Sequence, residues 1–295
     1  MKEIMKNTIK RVASALVALP VYFFCVITDS AWSVPILAIS TVISLACLYE
    51  FYAMSDRGEE GRAFVFEGMV VGLIINVFMY LFAFGMKHTI PSLFDCLDPR
   101  GIMFFMVLII AMTLFLQVFS RPIKGATYSL GVTVAGVIFI VGFFSHIILL
   151  KALTNGVYYI LILNAVVMAN DTGAFFGGVL FGRHKTKFPA SPNKTWEGYA
   201  SGLLFSVLIM IIFNYLFDRY FDVRLFSYIE AALLGALLSF TGNTGDLVES
   251  VIKRDNNAKD SGSIIPGHGG MWDVFDALVF SMPIFYYYLI FKGVV

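Results

Sequence analysis

The chain has 295 residues, of which 59% are hydrophobic and 14% charged. A soluble domain carries roughly 45–50% apolar and about 25% charged residues, so an ordinary soluble fold is excluded. The net charge of +1 supplies no basic field for nucleic acid, and that partner class is set aside. Read in chain order, about nine apolar segments approach the roughly 20 residues that a spanning helix needs. They cover 11–28, 33–54, 63–84, 101–119, 126–150, 157–182, 199–217, 228–250 and 272–292. Lys6, Lys10 and Arg11 precede the first segment as in a signal peptide, but the run is long and further spans follow. It therefore reads as an uncleaved first span.

The expected fold is an all-α polytopic membrane protein in one membrane unit, with no soluble domain. N-terminal helices occupy 1–125, and C-terminal helices carrying the polar motifs occupy 126–295. Cys25, Cys47 and Cys96 are far apart and lack metal-ligand spacing. They read as small apolar residues in or near spans, forming neither a disulfide framework nor a zinc site.

Orientation follows from the Lys and Arg of the connecting segments. With the N-terminus inside, fifteen lie on the inner side and six on the outer side. The N-terminus is thus expected in the cytoplasm and, after nine spans, the C-terminus outside. This places the loops 183–198 and 251–271 on the cytoplasmic side, where nucleotides are available.

Ionisable residues in apolar segments are costly and mark functional sites. Asp171 interrupts the sixth segment, Asp246 and Glu249 close the eighth, and Asp273 and Asp276 open the ninth. Each pair has i,i+3 spacing and shares a helix face. Clustered carboxylates suit Mg²⁺, which takes one or two carboxylates plus substrate phosphates, and two pairs suit a two-metal phosphoryl site. The plainer alternative is helix-end charges, solvated or paired with Lys253 and Arg254. Glu50 and Glu67, close to the ends of their spans, read as carboxylates that reach the membrane interface.

Two polar loops accompany these acids. In Ser191-Pro192-Asn193-Lys194-Thr195-Trp196-Glu197-Gly198, Lys194 is suited to a phosphate, with Ser191 or Thr195 as donors. The same stretch also reads as a helix start with Ser191 as N-cap and Pro192 at N1. The other loop runs from Ser250 through Lys253, Arg254, Lys259 and Asp260 to Pro266-Gly267-His268-Gly269-Gly270. Its cations suit phosphate oxygens, and its glycines allow the backbone to approach an anion. Basic inner loops also follow from topology alone. His268 reads either as a proton carrier or phosphate donor, or as a satisfied loop histidine. No Walker A pattern or G-x-G-x-x-G is present.

The run Ser250–Asp276 resembles the signature of the phosphatidate cytidylyltransferases, or CDP-diacylglycerol synthases. The signature reads S-x-x-K-R-x4-K-D, a spacer, P-G-H-G-G, two residues, and D-R-x-D. Ser250, Lys253, Arg254, Lys259 and Asp260 meet its first part; Pro266, Gly267, His268, Gly269, Gly270, Asp273 and Asp276 meet its second. The stretches Asn170–Gly177 and Ser191–Gly198 also look like family motifs, as do Gly245 and Asp246 with Glu249 and Ser250. Val274 departs from the pattern, standing where the family usually has Arg.

The resemblance implies CTP plus phosphatidate giving CDP-diacylglycerol and pyrophosphate, in phospholipid biosynthesis. It implies Mg²⁺, in some members with a monovalent cation such as K⁺, and it is compatible with a homodimer. The residues expected to carry the reaction are Asp246, Asp273, Asp276, Lys253 and Lys259. Asp246, Asp273 and Asp276 are the expected metal ligands, with Asp171 as a fourth or a group behind them. Substrate contacts fall to Ser191, Lys194, Thr195, Ser250, Arg254, Asp260, Gly267, His268, Gly269 and Gly270. Two other readings stay open: a related enzyme acting on another lipid phosphate or a polyprenol, and an ion-coupled transporter, against which the one-sided carboxylates and absent repeat argue.

Overall fold

The computed structural model describes residues 16–28, 33–84, 99–121, 123–267 and 269–294. Among the described residues the regular structure is helical. The helices are α1 Leu16–Ile27, α2 Val34–Met54, α3 Val65–Phe84, α4 Pro99–Ser120, α5 Ala126–Ala152, α6 Gly156–Phe181, α7 Trp196–Phe221, α8 Tyr228–Asp255 and α9 Trp272–Phe291. Each corresponds to one apolar segment of the sequence. Six of them (α2, α3, α5, α6, α7 and α9) are long and apolar enough to cross a membrane. The protein is therefore a polytopic membrane protein. The described apolar part of α1 is shorter, and α8 carries Asp246, Glu249, Lys253, Arg254 and Asp255 in its last turns. Cys25 lies in α1 and Cys47 is buried in α2; Cys96 lies outside the described residues.

The chain forms two compact units. The first holds the helices up to Ala152 together with Asp260–Val274. In it, α5 passes through a π-helical segment at Val137–Gly142, a local widening that recurs at functional and packing sites. Tyr52 packs against Gly136, where an added Cβ would meet the tyrosine ring at 2.6 Å. Its hydroxyl donates to the Thr133 carbonyl at 2.7 Å, so the buried polar end is satisfied. Two expectations are corrected here. Glu50 and Glu67, read as reaching the interface, are each 3% exposed. Glu67 accepts from Thr113 Oγ1 at 2.8 Å, and Glu50 is surrounded by backbone and hydroxyl donors, described below. Burial of a carboxylate is tolerable when such donors replace water.

The second unit holds Leu153–Lys259 and Phe275–Val295. Its tightest packing joins α6 and α7. Gly173 and Gly177 of α6 lie against α7, and Gly198 and Gly202 of α7 against α6, each pair four residues apart. A Cβ at Gly173 would meet Phe205 at 2.8 Å, one at Gly198 the Ala174 carbonyl at 2.9 Å, and one at Gly202 Asn170 Oδ1 at 2.8 Å. Small residues at this spacing let membrane helices pack closely, where there is no hydrophobic drive between them. Fully buried Asn170 adds polar cross-links: its Oδ1 accepts from Ser239 Oγ at 2.6 Å and from Asn243 Nδ2 at 3.3 Å, tying α6 to α8. The α8 start is a capping box in which Ser227 and Glu230 exchange hydrogen bonds. A Cβ at Gly245 would meet the Asp276 carbonyl at 2.6 Å, so glycine there brings α8 and α9 together.

Candidate functional site

In the second unit the fold builds a cavity of about 470 Å³ between α6, the 183–195 loop, α7 and α8. Asp171, Ser191, Lys194, Thr195 and Asp246 all line it, so five expected site residues from three separate parts of the chain meet in one place. Phe175 and Val179 add apolar wall, and both are exposed on the outer face of α6. One rim is thus polar and charged while the other suits hydrocarbon.

The loop geometry revises one expectation. The N-cap of α7 is Thr195, whose Oγ1 accepts from the Gly198 N–H at 3.1 Å. Ser191 is not the cap; it lies in a turn in which its N–H donates to the Phe188 carbonyl at 3.1 Å. The β-bridge between Lys185 and Thr195 closes the loop and delivers Lys194 inward. Lys194 Nζ donates to Asp246 Oδ2 and lies 5.5 Å above the Tyr199 ring. Burial alone would push the lysine down, but the Asp246 carboxylate, assisted by Tyr199 and Asp171, outweighs burial and holds it above its ordinary value.

Asp246 also belongs to an acidic group. Carboxylate oxygens of Asp246, Glu249 and Asp276 lie within 4.8 Å of one another. Glu249, 1% exposed, pairs with Lys253 Nζ at 2.5 Å. Ser250 Oγ lies 3.4 Å from Asp246 Oδ1. Asp171, Asp246 and Glu249 each act electrostatically on Asp276. Four carboxylates thus gather near Lys194 and Lys253. An all-oxygen donor set of this kind fits a hard divalent cation such as Mg²⁺. Glu249 was absent from the expected ligands, although its i,i+3 relation to Asp246 was visible in the sequence. Farther along the same helix and turn, Arg254 is exposed and donates to the Ala258 carbonyl at 3.0 Å, and Lys259 is exposed.

In the first unit, Asp260–Asp273 forms a tight loop. Ile265 and Gly269 exchange backbone hydrogen bonds at 2.9 and 3.2 Å, closing a turn in which Gly267 has φ +85° and Gly269 φ +100°, values that side-chain-bearing residues rarely adopt. His268 lies outside the described residues. Asp260 is exposed. Asp273 Oδ2 accepts from the Gly270 N–H at 2.7 Å and the Ser261 N–H at 2.8 Å, and lies 3.0 Å from Ser261 Oγ. Val274 is 41% exposed. Glu50 of α2 completes this loop, and motif reading missed it: Ser261 and Glu50 are 211 positions apart.

The chain is similar to known proteins along most of its length. The cytidylyltransferase family pattern matches residues 9–291. The phosphatidate cytidylyltransferase of Staphylococcus haemolyticus is 42% identical over 131 residues, 44% of this chain and 48% of the relative. That of Staphylococcus epidermidis is 41% identical over a stretch with the same coverage, so each aligned stretch spans about half the relative. The phosphatidate cytidylyltransferase of Bacillus subtilis is 29% identical over 282 residues, 95% of this chain and 97% of the relative. With nearly its whole length matched by the family pattern, the chain belongs to the cytidylyltransferase family.

Proposed function

We propose that the protein is a phosphatidate cytidylyltransferase: it transfers the cytidylyl group of CTP to phosphatidate, giving CDP-diacylglycerol and pyrophosphate. The observation that carries this reading is the meeting of Lys194, Asp171 and Asp246 around a cavity with one apolar wall, in a chain of this family. A substrate with two acyl chains keeps its tails in the bilayer, and Phe175 and Val179 offer the matching surface.

In this reading an oxygen of the lipid phosphate attacks the α-phosphorus of CTP. A new P–O–P linkage forms, the bond between the α- and β-phosphates breaks, and pyrophosphate leaves with the electron pair. The attacking phosphate is already anionic, so no strong general base is required. The difficulty is bringing two polyanions together, which positioning and charge neutralisation address. Asp246, Glu249 and Asp276 would hold Mg²⁺, with Asp171 behind them. A bound divalent cation supplies neutralisation of the phosphate charge. Lys194, Lys253, Arg254 and Lys259 contact phosphates, with Ser191, Thr195 and Ser250 as hydroxyl donors. The glycines 267, 269 and 270 shape the nucleotide loop, with Asp260 as a further substrate contact and His268 beside the nucleotide. Asp273 serves mainly to hold that loop, since its Oδ2 accepts from two loop N–H groups and sits beside the Ser261 hydroxyl.

We place the N-terminus and the loops 183–198 and 251–271 on the cytoplasmic side and the C-terminus outside, on the Lys and Arg distribution. The test is conversion of labelled CTP by purified protein with phosphatidate and Mg²⁺. A labelled CDP-lipid with release of pyrophosphate is expected. Product with a polyprenyl phosphate but not with phosphatidate would move the assignment to another lipid, and ion uptake into proteoliposomes without CTP turnover would replace it.

A further inference from the structure

We propose that Glu50, on the N-terminal helix α2, is a positioning residue that holds the glycine-rich loop 260–273 in its working shape. The functional half of this inference rests on the assignment of that loop to nucleotide binding.

The geometry is specific. Glu50 Oε1 accepts from the Met271 N–H at 2.9 Å. Its Oε2 accepts from the Trp272 N–H at 2.9 Å and from Ser261 Oγ at 3.0 Å. Ser261 Oγ lies also 3.0 Å from Asp273 Oδ2, so one hydroxyl sits between two carboxylates, one from each end of the first unit's sequence. Both oxygens of Glu50 are thereby used on a segment more than 200 residues away. The two N–H groups it receives are at the first turn of α9, where helix N–H donors lack intrahelical partners and favour negative charge. Because α9 starts at Trp272, Glu50 fixes where that helix begins, and Asp276 follows four residues along it.

Two glycines of the loop make room for this carboxylate. A Cβ at Gly262 would meet Glu50 Oε1 at 2.5 Å, and a Cβ at Gly270 would run into both Ser261 Oγ and Glu50 Oε2. Phe51, the neighbour of Glu50, packs edge-on against Trp272 with ring centroids 5.5 Å apart, and Trp272 is fully buried. Polar and apolar contacts from the same turn of α2 thus converge on the start of α9. A carboxylate whose purpose was membrane-interface exposure would leave its oxygens in water rather than 3% exposed.

Glu50→Gln separates positioning from bulk, because one end of the amide is an NH₂ that cannot accept. In full-length protein in detergent, amide exchange of residues 260–273 should accelerate at least tenfold, while the α7 segment 196–221 keeps its wild-type exchange. In the CTP assay, kcat/KM for CTP should fall by about 10- to 100-fold, the scale of a misplaced binding group. The double variant Glu50→Gln/Ser261→Ala should lose little more than Glu50→Gln alone, since both remove the same bridge. Unchanged loop exchange would overturn the proposal, as would faster loop exchange with an unaltered kcat/KM. Should Glu50→Gln fail to fold, Ser261→Ala carries the same two readouts. If wild-type protein does not turn over CTP, the functional assignment fails by itself, and the exchange experiment, which needs no substrate, still decides whether Glu50 holds the loop.

Discussion

Lys194 donates to Asp246, joining a surface loop to the face of α8 that carries the acidic group. Removing either partner takes away more than one hydrogen bond, because Lys194 is the cation closest to Asp246 on the cavity wall. Lys194→Met and Asp246→Asn should each lower kcat/KM by about 100-fold, the range found for single groups that stabilise transition-state charge. The double variant should fall well short of the product of the two losses, since the groups form one unit. Steady-state assays of the four proteins check this, and strictly multiplicative losses would show that they act apart.

The pH dependence of this pair has a definite sign. A lysine held above its ordinary value contributes its favourable interaction fully below the unfolded value and loses it only as pH rises through the folded one. The Lys194 contribution should therefore be flat from pH 7 up to about pH 10. A rate profile should show no alkaline limb below that point that disappears in Lys194→Met. A limb near pH 8 abolished by that substitution would contradict the geometry.

Glu249 and Lys253 form a pair that is nearly sealed from solvent. Leaving one buried charge without its partner costs about 3–5 kcal/mol. Lys253→Met should accordingly lower thermal stability far more than a surface substitution, and Glu249→Gln/Lys253→Met should recover part of the loss. Activity should not recover, because the acidic group loses one carboxylate charge. Thermal unfolding with parallel assays distinguishes the two effects.

The cation proposed for Asp246, Glu249 and Asp276 would tie stability to its concentration. At a hundred times its dissociation constant, a ligand specific to the folded state adds about 2.7 kcal/mol. Mg²⁺ should raise the unfolding temperature of wild-type protein, EDTA should reverse the rise, and Asp276→Asn should abolish it. An equal rise in Asp276→Asn would place the ion elsewhere.

These tests fall on residues with unequal visibility in the sequence. The helices were legible because each span is a long apolar run, and a charge such as Asp171 or Asp246 within one stands out by its cost. The grouping of Lys194 with Asp246 needed the fold, since no local pattern links a loop to a helix that begins more than thirty positions later. Glu50 was harder still. Its nearness to the end of α2 suggested exposure, and its partners are 211 to 222 positions away. The glycines of Asn170–Gly177 and Tyr199's neighbour Gly198 carried a double message. Their motif resemblance was visible, but their immediate physical role is the close approach of α6 and α7.

Val274 offers a gain-of-function test. It stands where the resemblance leads one to expect Arg, at the start of α9 beside Asp273, and it is 41% exposed. An exposed site accepts a longer side chain with little strain, so Val274→Arg should keep its stability within about 0.5 kcal/mol of wild type. The added guanidinium can meet phosphate oxygens in a bidentate manner. The Michaelis constant for CTP should therefore fall several-fold at low salt. Because the site is partly solvated, much of that gain should disappear at about 1 M salt, where screening acts within roughly 3 Å. Val274→Met, which adds length without charge, should leave the Michaelis constant unchanged; an equal improvement in that variant would assign the effect to packing rather than to charge.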